Sequence, residues 1–181
     1  MKNIKPLVCL ITGPAGAGKS TAALLLTKTM KKSVIIETDH LRHMIKSGFI
    51  KPSLPEGHEQ LVLGRKNATI LAKNFAEEGY NVIIADCVAG RKYLDIYHHS
   101  LKKYRFIIIL LLPNKRVLWK RDSGRSIKAR IGKRTLLLHD RFVEKMAKEK
   151  RWHVIDNSNM SVRQTVKKIS TLCKNKNLIA K

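Results

Sequence analysis

The chain has 181 residues, a length that predicts one domain with a sizeable buried core. Hydrophobic residues make up 44% of it, which excludes disorder as its overall state even though 37 Lys and Arg against 13 Asp and Glu give a net charge of +24. The charge is uneven: residues 1–90 carry 12 basic and 7 acidic side chains, whereas residues 91–181 carry 25 and 6. This balance indicates anionic partners such as phosphate, nucleic acid or a membrane surface, or else only a lysine-rich solvated surface.

Short apolar runs alternate with longer amphipathic stretches from the first strand onward. The runs predict five strands, at 7–11, 34–36, 82–85, 106–112 and 152–155. Unbroken apolar strands of this kind are typical of a parallel sheet that is buried on both faces. Between them, helices are predicted near 18–32, 39–46, 58–78, 91–103, 114–122, 136–150 and 161–173. The alternation predicts an α/β fold with a doubly wound, five-stranded parallel sheet and helices on both faces.

The third of these helices has a clear apolar face, and Gly79 is a suitable residue to end it. We expect five of its residues to face the core: Leu61, Ala68, Leu71, Ala72 and Phe75. Two stretches interrupt the alternation, a long loop at 47–57 and a basic, glycine-containing segment near 123–135. The predicted organisation is therefore one domain, residues 1–174, followed by a basic tail at 175–181.

The cysteines and the longest apolar run bear on where the protein works. Cys9, Cys87 and Cys173 are widely separated, which argues against a disulfide framework and against a zinc site. The longest apolar run, 106–112, is far shorter than the roughly 20 residues of a membrane helix. We expect a soluble, cytoplasmic protein that does not use a membrane.

Residues 13–21 read Gly-Pro-Ala-Gly-Ala-Gly-Lys-Ser-Thr and match the phosphate-loop pattern G-x-x-x-x-G-K-[ST]. The glycines allow a tight turn whose N–H groups converge on phosphate oxygens, and the amino terminus of the following helix favours anions. We expect a nucleotide site in which Lys19 reaches the β- and γ-phosphates and Ser20 coordinates Mg²⁺. The other residues assigned to this site are Gly13, Ala15, Gly16, Ala17, Gly18 and Thr21.

Two carboxylates follow predicted strands and are candidates for chemistry. Asp86 ends the third strand and is expected to contact Mg²⁺ directly or through water, the alternative being a helix cap. Asp39 follows the second strand, beside the phosphate loop, where a carboxylate could orient an incoming hydroxyl. Arg42 lies one helical turn further on and could hold an anionic acceptor group. The alternative makes Asp39 the N-cap of the next helix and Arg42 a surface charge.

The segment from 115 to 134 holds nine basic residues and one acid, Asp122. Arg121 and Arg125 lie four residues apart, so the segment is predicted to be an arginine-rich lid that closes on phosphates and excludes water. The alternative is a solvated basic loop. A turn at 156–159 is a further candidate to border an adenine, although turn chemistry alone accounts for its Asn and Ser residues.

Taken together, these motifs resemble the P-loop kinases, and within them the polynucleotide 5′-hydroxyl kinase domain and the chloramphenicol phosphotransferase-like small bacterial kinases. The resemblance covers residues 7 to about 172 and rests on the phosphate loop, Asp39-x-x-Arg42, Asp86 and Arg121-Asp-Ser-Gly-Arg125. It implies a P-loop NTPase fold that uses ATP and Mg²⁺, with Asp39 as general base and Arg42 on an acceptor phosphate. It places Arg121 on the adenine side and Arg125 on the phosphates. One departure is that Asp86-Cys87-Val88 stands where polynucleotide kinases tend to have Asp-Thr-Asn.

The favoured hypothesis is an ATP-dependent phosphotransferase that moves the γ-phosphate of ATP to a hydroxyl of a small molecule or an unidentified acceptor. Its catalytic residues would be Lys19, Asp39 and Arg125. The basic second half keeps a polynucleotide 5′-hydroxyl kinase as an alternative. An alternative of another class is a nucleotide-binding module without phosphotransfer. The sequence does not predict an oligomeric state.

Overall fold

A computed structural model describes residues 5–145 and 149–175 of the chain. The strands are β1 (Leu7–Thr12), β2 (Ser33–Glu37), β3 (Asn81–Ala85), β4 (Arg105–Leu111) and β5 (His153–Ile155). They form one parallel sheet in the order β2-β3-β1-β4-β5. The helices are α1 (Lys19–Thr27), α2 (Thr38–Arg42), α3 (Gly57–Glu77), α4 (Arg91–Leu101), α5 (Lys115–Ser123), α6 (Lys133–Lys145) and α7 (Val162–Lys174). The predicted fold class is confirmed.

Successive residues of the buried strands pack into two separate cores, one on each face of the sheet. Val8 and Leu10 of β1 join a cluster that includes buried residues of α3 and α4. Cys9 and Ile11 join the other cluster, with residues of α1 and α7. Because side chains alternate along a strand, an unbroken apolar run supplies both cores at once.

The core-facing surface of α3 differs in part from the predicted one. Ala68 and Ala72 are fully buried as expected, but Phe75 is 37% exposed, so its placement in the core is wrong. Its ring instead meets Tyr80 edge-on, with 5.8 Å between the centroids. The fully buried apolar residues of α3 in this core are alanines, whose small side chains allow a helix to approach a sheet closely. Gly79 does end the helix, with φ at 79° and the N–H of Tyr80 donating to the carbonyl of Phe75.

Three helices have boundaries that differ from the predicted ones. Helix α1 ends at Thr27, whereas the sequence predicted an end near 32. The hydroxyls of Thr27 and Thr29 donate to carbonyls of its last turn. Helix α2 has only five residues. Helix α6 begins at Lys133, inside the predicted lid, so we use "lid segment" for residues 124–132, which contain a 3-10 helix at Ile127–Ala129. The end of the helix predicted at 136–150 falls partly on 146–148, and the predicted tail on 176–181; both lie outside the described residues.

The order of the strands decides what stands beside the phosphate loop. Strand β3 lies between β1 and β2, so Asp86 follows the strand next to the loop and Asp39 the strand after that. The expectation that Asp39 is directly beside the loop is wrong by one strand. Within the part of the chain that the structure describes, none of the helices combines the length and the apolar character that a bilayer crossing needs.

Candidate active site

The phosphate loop joins β1 to α1 and has the backbone that its glycines make possible. Gly13, Gly16 and Gly18 have φ values of 145°, 80° and 93°. A Cβ at Gly13 would lie 2.2 Å from the carbonyl oxygen of Leu111, so no other residue fits there. The Lys19 ammonium donates to the carbonyl of Pro14 at 3.0 Å, which holds it over the loop. Ser20 and Thr21 are exposed in the first turn of α1.

A cavity of about 250 Å³ opens next to this loop. Arg121 forms one wall, donating to the carbonyl oxygen of Asn157 at 3.1 Å and to that of Ala17 at 3.5 Å. Burial against these groups lowers the pKa of Arg121. The side-chain amide of Asn157 donates to the same Ala17 carbonyl at 3.0 Å, and Arg125 lines the cavity too. The structure therefore brings the two arginines of the predicted lid and the 156–159 turn to the phosphate loop.

The lid segment is held by Asp122, a buried residue of α5. Its carboxylate accepts the N–H groups of Ile131 and Gly132 at 3.0 and 2.8 Å. Arg125 lies 3.6 Å from the same carboxylate and also donates to the carbonyl of Ala129. The one acid of the basic segment thus fixes the two ends of the lid segment to each other. Residues 126–131 are all exposed, so the alternative of a solvated basic loop stays open.

Asp39 and Arg42 form an ion pair on α2. Arg42 donates through Nη2 to Oδ1 of Asp39 at 2.9 Å, with the Asp39 side chain 74% exposed and that of Arg42 only 8%. The helix begins at Thr38 and its N-cap is Glu37, so the alternative that Asp39 is an N-cap is wrong. Because Arg42 is buried, the surface-charge alternative is wrong as well. The Asp39 carboxylate is thus exposed, and the buried guanidinium of Arg42 holds its orientation.

Asp86 is buried and fully engaged with protein groups. Its carboxylate accepts hydrogen bonds from Thr38 at 2.7 Å, Tyr97 at 3.0 Å and the N–H of Cys87 at 2.7 Å. Arg65 pairs with it at 2.7 Å and also donates to the carbonyl of Cys87. Burial by itself would raise the pKa of Asp86, but the Arg65 charge and the hydrogen bonds from Thr38, Arg65 and Tyr97 outweigh it and leave the pKa lowered.

The surroundings of Asp86 bear on its two predicted roles, a contact to Mg²⁺ and a helix cap. Helix α4 begins at Arg91 after Gly90, so the alternative that Asp86 is a helix cap is wrong. A direct bond to a metal would compete with Arg65 for the carboxylate. Only the water-mediated form of the predicted Mg²⁺ contact leaves the network intact, and the metal role stays a prediction.

Four charged groups act on the pKa of the Cys87 thiol, which lies just after β3. Burial raises the pKa of Cys87, the Lys19 charge opposes that rise, and the charges of Asp86, Arg65 and Asp39 act on it as well. Lys19, Asp39 and the Asp86–Arg65 pair all lie toward the carboxyl edge of the sheet. Arg65 was missed by the sequence reasoning. Its signal was available, because an arginine on the apolar face that carries Leu61 and Ala68 indicates a buried partner.

The sequence was compared with protein-family models and with curated proteins, and the structure with solved structures. The five-stranded parallel sheet with helices on both faces matches the fold of P-loop kinases of known structure. A model of the Zeta toxin family matches residues 1–89, a region that ends before the lid segment. No curated protein matches the chain in sequence.

Several solved structures share the fold over nearly the whole chain. A sugar kinase from Janibacter sp. HTCC2649 aligns with a TM-score of 0.68 and 18% identity, covering 92% of this chain and 93% of that one. A gluconokinase from Sinorhizobium meliloti 1021 aligns with a TM-score of 0.66 and 16% identity, covering 96% and 97%. A tunicamycin resistance protein from Deinococcus radiodurans aligns with a TM-score of 0.65 and 14% identity, covering 93% and 96%. At such identities the likeness concerns the fold alone.

Proposed function

We propose that this protein is an ATP-dependent phosphotransferase that moves the γ-phosphate of ATP to a hydroxyl of a small molecule. The observation that carries the proposal is that the phosphate loop with Lys19 and the helix with Asp39 both lie at the carboxyl edge of the sheet, where Thr38 of that helix binds Asp86 at 2.7 Å. A phosphate-binding lysine and an exposed carboxylate at the same edge of the sheet suit transfer of a phosphoryl group to a hydroxyl. The sugar kinase and gluconokinase folds support the same class of reaction.

The nucleotide would occupy the 250 Å³ cavity and the phosphate loop beside it. The loop N–H groups from Gly13 to Thr21 would hold the phosphates, with Lys19 on the β- and γ-phosphates. Arg121 lies against Ala17 and Asn157, which suits the base side of the nucleotide. Arg125 would neutralise charge that develops on the transferred phosphoryl group.

The residues present fit a magnesium ion only in part. The Ser20 hydroxyl stands exposed in the first turn of α1, where it could bind a metal that also holds the phosphates. Asp86 would act through water, since its carboxylate is already bound by Thr38, Arg65, Tyr97 and the Cys87 N–H. When bound, Mg²⁺ would neutralise phosphate charge, and the chain's own residues would do the positioning.

In the proposed reaction the acceptor oxygen attacks the γ-phosphorus and the bond from that phosphorus to the β–γ bridging oxygen breaks, so ADP leaves. The acceptor proton passes to a carboxylate oxygen of Asp39. Arg42 holds that carboxylate at 2.9 Å, which fixes its direction toward the incoming hydroxyl. Neither lid arginine would take part in the proton transfer; Arg125 would act on the phosphates.

The experiment offers labelled ATP and Mg²⁺ to the protein in separate tubes with gluconate, shikimate, a pool of hydroxylated small molecules, and a 5′-hydroxyl oligonucleotide. Label on a small molecule is the expected result. Label on the oligonucleotide alone would favour the polynucleotide kinase, whose support is the excess of 25 basic over 6 acidic residues in 91–181. ATP binding without label on any acceptor would favour a nucleotide-binding module.

A further inference from the structure

A second cavity, of about 200 Å³, lies between α2 and α3 and is lined by Arg42, the ion-pair partner of Asp39. Leu41, Met44, Ile45 and Leu63 give it an apolar wall. Met44 is 70% exposed and Leu63 is 48% exposed, so the apolar wall continues to the mouth of the cavity. An apolar, solvent-open wall beside a polar catalytic pair is typical of a ligand site.

The polar lining of this cavity includes one buried group that lacks a partner. Nε of Arg42 is buried and has no hydrogen-bond acceptor among residues 5–145 and 149–175, although Nη2 of the same side chain binds Asp39. The Phe49 ring covers the guanidinium with 5.7 Å between the ring centroid and Cζ. A buried N–H without an acceptor is costly, so a ligand that brings a hydrogen-bond acceptor to Arg42 would be favoured.

The amide of Gln60, by contrast, is already in use. It accepts the N–H of Ile50 at 2.9 Å and donates to the carbonyl of Gly48 at 2.7 Å. These bonds hold the loop that precedes α3 against the same helix. The loop is thereby positioned beside the cavity, and Arg42 is the buried polar group of the lining with bonding capacity to spare; the exposed Asn67 also lines the cavity.

Gly64 lines both this cavity and a water-sized one between Asp39 and Asp86. A Cβ at Gly64 would lie 3.7 Å from the Thr38 carbonyl oxygen and 3.8 Å from Cβ of Arg42, which are ordinary contacts. Packing therefore does not require glycine in the middle of this 21-residue helix, where glycine is unfavourable. What glycine does provide is open space next to the exposed carboxylate.

We infer that the acceptor is a small amphipathic alcohol whose hydroxyl faces Asp39, whose hydrogen-bond acceptor group meets Arg42 and whose apolar body packs against Leu41, Ile45 and Leu63, with Gly64 limiting its size. The inference rests on the proposed function. A volume of 200 Å³ equals roughly seven water molecules in the liquid. It lies below the roughly 300 Å³ at which sites for drug-sized ligands begin, so a single ring fits best.

The first experiment compares single-ring hydroxy acids with polar ones as acceptors for labelled ATP and Mg²⁺. The apolar probes are 4-(hydroxymethyl)benzoate and mandelate, and the polar probes are gluconate and shikimate. We expect kcat/KM for an apolar probe to exceed that for gluconate by about tenfold or more, the lower end of the range for one buried methylene in a hydrophobic pocket. Equal or better use of gluconate would overturn the inference.

The second experiment tests Gly64 with the variant Gly64→Ala. We expect KM for the preferred apolar probe to rise about tenfold, while Tm rises by about 2–4 °C because alanine favours the helix. An unchanged Kd for ATP would show that the nucleotide site is intact. The matched control is Asn74→Ala, an exposed position on α3 outside both cavities, which should raise Tm without changing KM. An unchanged KM in Gly64→Ala would contradict the size limit.

A binding measurement separates failure of this inference from failure of the proposed function. Saturation-transfer NMR detects 4-(hydroxymethyl)benzoate on the wild-type protein without any reaction. Binding without phosphorylation would support the amphipathic site and count against the phosphotransferase. Transfer to gluconate alone or to the oligonucleotide alone would support a phosphotransferase and overturn this inference. The absence of both binding and transfer would also overturn this inference.

Discussion

Nε of Arg65 lies 2.7 Å from Oδ2 of Asp86, and both side chains are buried. The pair joins the middle of α3 to the end of β3, and Arg65 also stacks on the Tyr93 ring at 4.2 Å from its centroid. Thr38, at the start of α2, binds the same carboxylate. The Asp86 carboxylate, bound by Arg65 and Thr38, therefore sets the relative positions of α3, of the helix that carries Asp39 and of the strand beside the phosphate loop.

Removing Arg65 should be strongly destabilising. In Arg65→Met, the Asp86 carboxylate stays buried without its counter-charge, and the free energy of unfolding should fall by about 3–5 kcal/mol. Arg65→Lys keeps the charge but not the forked geometry and should lose less. Urea denaturation measures both. The matched control is Lys66→Met, an exposed neighbour on α3, which should change stability by less than about 0.5 kcal/mol. Similar stability of the Arg65→Met and Lys66→Met variants would contradict the role given to the pair.

The same pair predicts how stability depends on pH. The folded-state pKa of Asp86 is lowered, so its contribution is present above the unfolded-state value of about 3.9 and is lost as pH falls through the folded pKa. Wild type should be more stable than Asp86→Asn near neutral pH, and the gap should narrow as the pH is lowered below about 4. Urea denaturation at several pH values tests this. A gap that stays constant on acidification would be inconsistent with an ionised Asp86 in the folded protein.

Replacing Asp39 separates catalysis from binding. Asp39→Asn should lower kcat for transfer by roughly 10²–10⁴-fold, because the amide cannot take the acceptor proton, while Kd for ATP stays near that of wild type. Glu37→Gln is the matched control, since Glu37 is the N-cap of the same helix and pairs with His40. A kcat equal to that of wild type in the Asp39→Asn variant would show that Asp39 is not the base.

Arg125 should matter for transfer more than for nucleotide binding. Arg125→Ala is expected to lower kcat by roughly 10³–10⁵-fold if the arginine acts on the transferred phosphoryl group. Arg116→Ala, an exposed arginine of α5 outside the nucleotide cavity, removes the same charge and should leave kcat unchanged. Equal losses of kcat in the two variants would show that Arg125 contributes only its positive charge.

Asp122 should control how often the lid segment opens. Asp122→Ala removes the acceptor of the Ile131 and Gly132 N–H groups. Hydrogen bonds to a charged group contribute about 1.5–3 kcal/mol, so the open fraction should rise at least about tenfold. Limited trypsin digestion measures this as faster cleavage at the Lys and Arg residues of 124–132. Asp140→Ala, at a partly exposed acid of α6, serves as the control. Equal cleavage rates in the two variants would show that Asp122 does not hold the segment.

Local patterns were enough to predict much of this protein. The phosphate loop is a contiguous motif whose glycines adopt positive φ values as expected, and the apolar runs of the strands require burial on both faces. Gly79 ends α3 as predicted because a left-handed C′ residue is a local property of the chain. Phe75 was misplaced because an apolar face predicted from spacing does not reveal how near the helix lies to the sheet.

By itself, the sequence determined the α/β class, the phosphate loop and the candidate residues Lys19, Asp39 and Arg125. Only the tertiary structure decided which groups meet. Arg65 reaches Asp86 across 21 residues, and the Asn157 side chain reaches Ala17 across 140. The physical reason is that strand order and helix approach arise from packing of the whole core, whereas turns, caps and alternation are set by a few neighbouring residues.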